Sequence, residues 1–182
     1  RHQVSARYVF GSSGKTDDLT IHTIQVEGTI QFLRDSRLSI LLPWSRTNGP
    51  LGYASGIGDL AILWNQTVWG EAGNQLGVQI GGKFATGTTN AGNLPQAYQP
   101  GLGTNDLLLG ITYETDPWLF ALAYQLSRGR SDNAVTRLNR GDDVLARIGY
   151  TTHIEDFIVG LEVLAIKRLQ ESSVLNPAVP GG

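Results

Sequence analysis

The side chains that could perform catalytic or metal chemistry are few, and they are scattered along the chain. The three histidines, His2, His22 and His153, share no spacing typical of metal ligands. Gly14-Lys15-Thr16 resembles the end of a phosphate-binding loop, but that motif requires glycine at position 9, which is valine. The chain contains no cysteine and no Gly-x-Ser-x-Gly nucleophile elbow. These residues predict no enzyme activity, no metal site and no bound cofactor.

Composition limits the possible partners and membrane anchors. The formal net charge of −2 gives no surface suited to a polyanion, so we expect no nucleic-acid partner. The sequence has no methionine, hence no initiator residue, and we expect a processed chain from which a signal peptide has been removed. The longest apolar runs, residues 38–44 and 118–124, are far shorter than the ~20 residues of a membrane helix. The mean hydropathy of −0.11 is compatible with a membrane barrel, whose strands alternate apolar and polar residues.

The strongest pattern in the chain is a period of two, which is typical of β-strands. In residues 75–84, Leu76, Val78 and Ile80 lie on one face, whereas Gln79 and Lys83 lie on the other. The same alternation recurs along most of the chain, and no stretch of useful length shows a helical period. We predict nine strands, at about residues 2–10, 19–33, 37–44, 58–70, 75–87, 105–115, 117–128, 142–152 and 156–168.

The connections between these strands alternate strictly between short and long. Short turns fall at residues 34–36, 71–74, 116–117 and 153–155, and longer links fall at 11–18, 45–57, 88–104 and 129–141. Outer-membrane barrels have short periplasmic turns and long extracellular loops. The chain is therefore predicted to be all-β, a single domain over residues 1–182 that forms an antiparallel up-and-down transmembrane β-barrel. This fold predicts a location in the outer membrane of a Gram-negative bacterium.

The two strand faces have different expected roles. A membrane barrel turns apolar side chains to the lipid and polar side chains to the lumen. The mid-strand polar residues are therefore candidates to line the lumen: Arg7, Glu27, Gln79, Lys83, Arg147 and Glu162. Aromatic residues near strand ends are candidates for an interfacial girdle: Trp44, Trp69, Tyr113, Trp118 and Tyr150.

Closure of the predicted barrel requires more strands than the chain provides. Bacterial single-chain barrels have an even number of strands, and an unpaired strand edge in lipid is costly. Residues 170–182 contain two prolines and predict no closing strand. We expect either that strands are missing at the C-terminal end or that a partner chain completes the barrel.

Several short segments resemble the outer-membrane family named "MetA-pathway of phenol degradation". They are residues 55–60 (SGIGDL), 99–110 (QPGLGTNDLLLG) and 41–44 (LLPW), together with 82–87 (GKFATG), where Ala85 replaces the usual proline. The resemblance covers residues 36–168. It implies an outer-membrane barrel of about twelve strands that is associated with uptake of aromatic or other hydrophobic small molecules.

The glycines and aspartates of these segments have a structural interpretation. Glycines permit a tight backbone at the start of a strand, and aspartates accept hydrogen bonds from nearby loop amides. We expect these roles, rather than ligand binding, at the loop–strand junctions: Gly56, Gly58, Asp59, Gly101, Gly103 and Asp106, and also Asp143.

Three functional hypotheses follow. The first is a channel for passive uptake of small solutes, hydrophobic or aromatic ones among them, that contacts outer-membrane lipid and lipopolysaccharide. The second is a structural or interaction barrel in a surface assembly. The third is a soluble β-barrel that binds a hydrophobic ligand, which would require Leu76, Ile80, Phe120 and Leu122 to point inward.

Overall fold

The computed structural model describes residues 2–13, 18–128, 133, 135, 137–154, 157–169 and 173–175. In the described residues, the regular elements are β-strands and two short 3₁₀ turns, Ala91–Asn93 and Gln96–Tyr98. The strands are β1 His2–Ser12, β2 Thr20–Leu33, β3 Ser36–Gly49, β4 Gly52–Ile57, β5 Leu60–Glu71, β6 Asn74–Phe84, β7 Asn105–Thr115, β8 Trp118–Arg128, β9 Arg137–Asn139, β10 Asp143–Ile154, β11 Phe157–Arg168 and β12 Ser173–Leu175. Within the described ranges, no helix is long and apolar enough to cross a membrane.

Ten of the strands form one antiparallel sheet. Its order is β1-β2-β3-β5-β6-β7-β8-β10-β11, and β4 pairs with the part of β3 that extends beyond β5. The short strands β9 and β12 pair with each other separately. Consecutive long strands are therefore neighbours throughout, and the sheet curls into a half-barrel whose edge strands are β1 and β11. The all-β antiparallel barrel class predicted from the sequence is confirmed.

The sheet is apolar on its convex face and polar on its concave face. Large apolar side chains on the convex face are 40–50% exposed, for example Ile24, Ile80, Phe120 and Leu122. Among the described residues, only four hydrophobic side chains are buried, against thirteen polar or charged ones. This polarity is the reverse of that of a soluble barrel. It contradicts the inward packing of Ile80, Phe120 and Leu122 that the soluble alternative requires.

One long connection differs from the sequence prediction. Residues 45–57 were expected to form a loop, but β3 continues to Gly49 and turns through Gly52, with φ +124°, into β4. β3 pairs with β5 over residues 36–41, so this hairpin projects beyond that neighbouring strand. Ser45 and Thr47 lie on one face of this part of β3, and Arg46 and Asn48 lie on the other. Because both faces are polar, the sequence shows no alternation of apolar and polar residues here.

Smaller differences concern strand ends. β6 ends at Phe84 rather than at residue 87, since the Thr86 amide turns back to the Phe84 carbonyl at 2.7 Å. β10 extends to Ile154, into the predicted turn at 153–155. The short strands β9 and β12 were not predicted, and β12 lies within residues 170–182, where the sequence predicted no strand.

Candidate functional site

The turn-side half of the concave face encloses a polar cavity of about 980 Å³. Four of the six predicted lumen residues line it: Arg7, Glu27, Gln79 and Arg147. The lining comes from eight strands, β1 to β3, β5 to β8 and β10, and from the short turns at residues 34–35, 70–72 and 116–117. The cavity therefore lies where the period of two places the inward side chains, and it reaches the end of the sheet that carries the short turns.

Cross-strand hydrogen bonds hold the cavity wall. The Gln79 side-chain amide donates to Oδ1 of Asn65 at 2.9 Å, and that of Gln75 donates to Oε2 of Glu114 at 2.5 Å. The Thr29 hydroxyl lies 3.3 Å from the hydroxyl of its cross-strand partner Ser39. Because neighbouring inward residues face each other across the strands, these pairs form rows of amide, hydroxyl and carboxylate groups along the wall.

Lys83, the fifth lumen candidate, lies on the same face but outside the cavity, toward the long loops. Its Nζ atom is 2.8 Å from Oδ2 of Asp106 and 3.9 Å from Oδ2 of Asp59. Only 16% of its side chain is exposed. The sixth candidate, Glu162, is opposite Gly149 in the backbone of β11, and its side chain lies outside the described residues.

The ion pair of Lys83 with Asp106 belongs to a network of alternating charges. This network, here called the ionic ladder, consists of Asp59, Lys83, Asp106, Arg140, Asp143 and Arg168. Arg140 lies 3.6 Å from Asp106 and 2.6 Å from Asp143, and Arg168 lies 3.0 Å from Asp143. Three carboxylates and three cations balance, so the ionic ladder itself is neutral overall. Sequence reasoning missed Arg140 and Arg168 as members, since Arg140 lies in a loop and Arg168 at the end of β11.

Asp59 joins the ionic ladder to the long segment of residues 85–104, here called the inner loop. Its Oδ1 accepts the Gly87 amide at 3.0 Å, and its Oδ2 accepts the Leu102 amide at 2.8 Å. One carboxylate therefore holds both ends of the inner loop, as the sequence interpretation expected for Asp59. Asp106 and Asp143 were given the same role, but in the structure they bind side chains, because they begin β7 and β10 and face the concave side.

The junction glycines are sites of close backbone approach. A Cβ atom at Gly56 would lie 2.7 Å from Oγ1 of Thr88, and one at Gly58 would lie 2.8 Å from a ring carbon of Pro43. At Gly101 it would meet the Gly87 backbone at 2.8 Å. Gly103 has φ +67°, a conformation that side chains strain.

The inner loop folds over the concave face. Tyr98, 4% exposed, packs with Leu19 and Ala54, and its hydroxyl oxygen accepts the Leu51 amide at 3.1 Å. Ala54 is the cross-strand partner of buried Thr47. These contacts lie on the inward side of β2, β3 and β4, so the inner loop covers the loop-side end of the sheet.

Side-chain amides stiffen the inner loop from within and from a neighbouring loop. The Gln99 side chain accepts the Ala91 amide at 2.7 Å and donates to the Leu94 carbonyl at 2.8 Å. The Asn133 amide donates to the carbonyls of Thr89 at 2.7 Å and Leu94 at 2.8 Å. The inner loop is therefore a compact unit with its own hydrogen bonds.

The aromatic residues lie on the convex face near both strand ends. Trp69, Tyr113, Trp118 and Tyr150 are at the turn side, and the rings of Trp118 and Tyr150 meet edge-on at 4.9 Å between centroids. Trp44 is at the loop side, opposite Ile24. All five are more than one-third exposed. Their role as an interfacial girdle stays a prediction.

Asp142 anchors the loop that leads into β10. The Tyr124 hydroxyl donates to its Oδ2 at 2.7 Å and the Ser127 amide to its Oδ1 at 3.0 Å, while Arg128 lies 3.3 Å away. These donors, the tyrosine hydroxyl foremost, hold the pKa of Asp142 below its ordinary value. The carboxylate thus stays charged where it organises the loop.

Comparison with known proteins supports the fold. No family model matches the chain, and no curated protein matches it. The crystal structure of the COG4313 outer membrane channel from Pseudomonas putida F1 is similar to 90% of this chain, with a TM-score of 0.59 and 18% sequence identity. The similarity covers 69% of that channel. At this level of identity the two proteins share a fold.

Proposed function

We propose that this chain forms most of the wall of an outer-membrane channel that takes up small solutes passively in a Gram-negative bacterium. The observation that carries the proposal is the polar cavity of about 980 Å³ on the concave side of a sheet whose convex side is apolar. Such a sheet suits lipid on one side and water on the other. The fold shared with an outer membrane channel agrees with this arrangement.

Closure of the channel forms part of the proposal. In the described part of the chain, the edge strands β1 and β11 each pair on one side only, with β2 and with β10 respectively. Each unpaired backbone group in hydrocarbon costs several kcal/mol, so both edges need partners in a membrane. We propose that further strands of the same polypeptide, or a partner chain, pair with β1 and β11.

The proposal also concerns the chemical class of the solute. The sequence resemblance implies small hydrophobic or aromatic molecules. The cavity wall offers amide, hydroxyl and charged groups, such as Asn65, Gln79, Thr29 and Arg147. We therefore propose aromatic or other largely apolar solutes that carry polar substituents, which these groups would bind while water fills the remaining space.

Flux measurements test the channel directly. The full-length protein is reconstituted into liposomes, and swelling is recorded with neutral, anionic and aromatic solutes of matched size. Replacing Gln79 by leucine removes its hydrogen bond to Asn65 and places an apolar group in the cavity. The flux of polar solutes should therefore fall severalfold. The matched control is Ile80→Leu, on the opposite face of the same strand and outside the cavity lining. A folded barrel that shifts on unboiled gels yet passes no solute would refute the channel.

One observation favours a second candidate function, that of a plugged structural barrel. The inner loop and the ionic ladder cover the loop-side half of the concave face, as they would in a plugged structural barrel. In that case the same liposomes would show no flux, and a partner protein would remain bound through purification. Flux that responds to Gln79→Leu would exclude this alternative.

A further inference from the structure

The apolar band of the convex face ends at a distinct row of residues on its loop side. Phe10, His22 and Arg46 are cross-strand neighbours in this row on β1, β2 and β3. The next row toward the turns contains Ile24 and Trp44, which are apolar and exposed. Arg46 therefore lies at the boundary between the lipid-facing surface and the polar hairpin of β3 and β4.

Arg46 is held in a fixed orientation at this boundary. Its guanidinium carbon lies 4.5 Å from the centroid of the Tyr53 ring, and its Nε donates to Oδ1 of Asn48 at 3.1 Å. It takes part in none of the ion pairs among the described residues. A guanidinium stacked on a ring in this way keeps its two terminal nitrogens available for a bidentate anion.

The neighbouring histidine is oriented as well. The His22 Nδ1 atom is 2.7 Å from the Tyr8 hydroxyl, and its ring lies 5.2 Å from that of Phe10. Tyr8 and Phe10 are each more than half exposed on the same face. The row thus presents a cation and an imidazole between exposed aromatic rings, the mixture found where a protein surface crosses from acyl chains to head groups.

We propose that Arg46, supported by Tyr53 and with His22 beside it, binds a phosphate group of lipopolysaccharide in the outer leaflet. This inference rests on the proposed outer-membrane location, in which the loop side faces outward. The lipid A phosphates lie directly above the acyl chains, at the depth of the row that ends the apolar band. Two parallel N–H···O bonds from one guanidinium fit a phosphate group.

Lipid binding to the full-length protein in detergent tests this inference, with native mass spectrometry as the readout. The probes are bisphosphorylated lipid A, dephosphorylated lipid A and phosphatidylglycerol. The variant is Arg46→Gln, and its control is Arg37→Gln, which lies on the concave face at the turn side. Loss of a charge-assisted hydrogen-bond pair should weaken binding of bisphosphorylated lipid A about tenfold or more in Arg46→Gln alone.

Two further variants separate the contribution of the guanidinium geometry from that of the Tyr53 ring. Arg46→Lys keeps the charge but loses the bidentate fork, and Tyr53→Leu removes the stacking ring, so each should lose part of the affinity. Every variant should keep the unboiled gel shift of the folded barrel. These results would show that the guanidinium geometry, beyond the charge, determines the affinity.

Three outcomes would overturn the inference: equal binding of dephosphorylated lipid A, equal binding of phosphatidylglycerol, or unchanged affinity in Arg46→Gln. Failure of the proposed outer-membrane location would look different, because the wild-type protein would remain in solution without detergent and bind none of the three lipids. Failure of the channel function alone would appear as absent solute flux with lipid binding intact.

Discussion

The Nζ atom of Lys83 lies 2.8 Å from Oδ2 of Asp106, and the aspartate side chain is completely buried. The same oxygen also accepts the side-chain amide of Gln125 and faces Arg140 at 3.6 Å. A carboxylate buried in this way is tolerated because two cations and an amide contact its Oδ2 atom, whereas its buried Oδ1 atom has no hydrogen-bond partner among the described residues. The pair joins β6 to β7 on the concave face and makes Asp106 the centre of the ionic ladder.

Replacing Lys83 by methionine should lower the free energy of unfolding by about 3 kcal/mol, since removal of one partner leaves a buried charge without its main counterion. Urea unfolding in detergent micelles measures the change. Lys167→Met, at an exposed position on β11, is the control and should have little effect. Equal stability of the two variants would mean that Arg140 alone neutralises Asp106.

Replacing Asp59 by asparagine should loosen the inner loop. The variant loses the charge of an acceptor that now holds two loop amides, and such charge-assisted bonds contribute about 1.5–3 kcal/mol each. Amide hydrogen exchange over residues 85–104 should accelerate by at least tenfold, and under the proposed function single-channel conductance should rise. Asp35→Asn, in a short turn, is the control. Unchanged exchange in Asp59→Asn would show that Tyr98 packing and the hydrogen bonds of Gln99 and Asn133 hold the inner loop without the Asp59 charge.

Stability should depend on pH through Asp142. Its pKa is lowered on folding from an ordinary value of 3.8 by the Tyr124 hydroxyl first and then by the Ser127 amide. The charged form is therefore favoured in the folded state, and its stabilisation is present above pH 3.8 and lost as the pH falls through the lower folded value.

Unfolding measured from pH 7 down to pH 2 checks this expectation. Wild type should be more stable than Asp142→Asn at neutral pH, and the difference should shrink below pH 3.8. Tyr124→Phe should reduce the difference, because it removes the main donor. A difference that is constant over the whole range would contradict the assigned cause.

The edge-on contact of Trp118 and Tyr150 should be measurable as a coupling energy. A double-mutant cycle with Trp118→Ala and Tyr150→Ala should give a coupling of about 1 kcal/mol, the usual magnitude for an aromatic pair. Unfolding from lipid bilayers is the appropriate measurement, because the predicted girdle would act at the membrane interface. A cycle with Trp69→Ala and Tyr150→Ala should give no coupling, and equal values in both cycles would point to a general effect on the bilayer interface.

The sequence by itself determined the nine long strands and their two faces. The period of two predicted for residues 75–84 is present in β6. Successive side chains of a pleated strand point to opposite faces, and this does not depend on which strands lie beside it. The same local rule placed Arg7, Glu27, Gln79 and Arg147 on the face that encloses the cavity. The alternation of short and long connections then indicated an up-and-down order, which needs no knowledge of long-range contacts.

Only the tertiary structure decided which residues meet across the strands and where the long connections go. Lys83 and Asp106 become partners through the register of β6 and β7, and Arg140 reaches them from a loop. The β4 hairpin and the inner loop lack an apolar period, and they are held instead by packing and hydrogen bonds with other parts of the protein. Their positions depend on single contacts, such as Asp59 with two distant amides and Tyr98 with Leu19, between segments far apart in the chain.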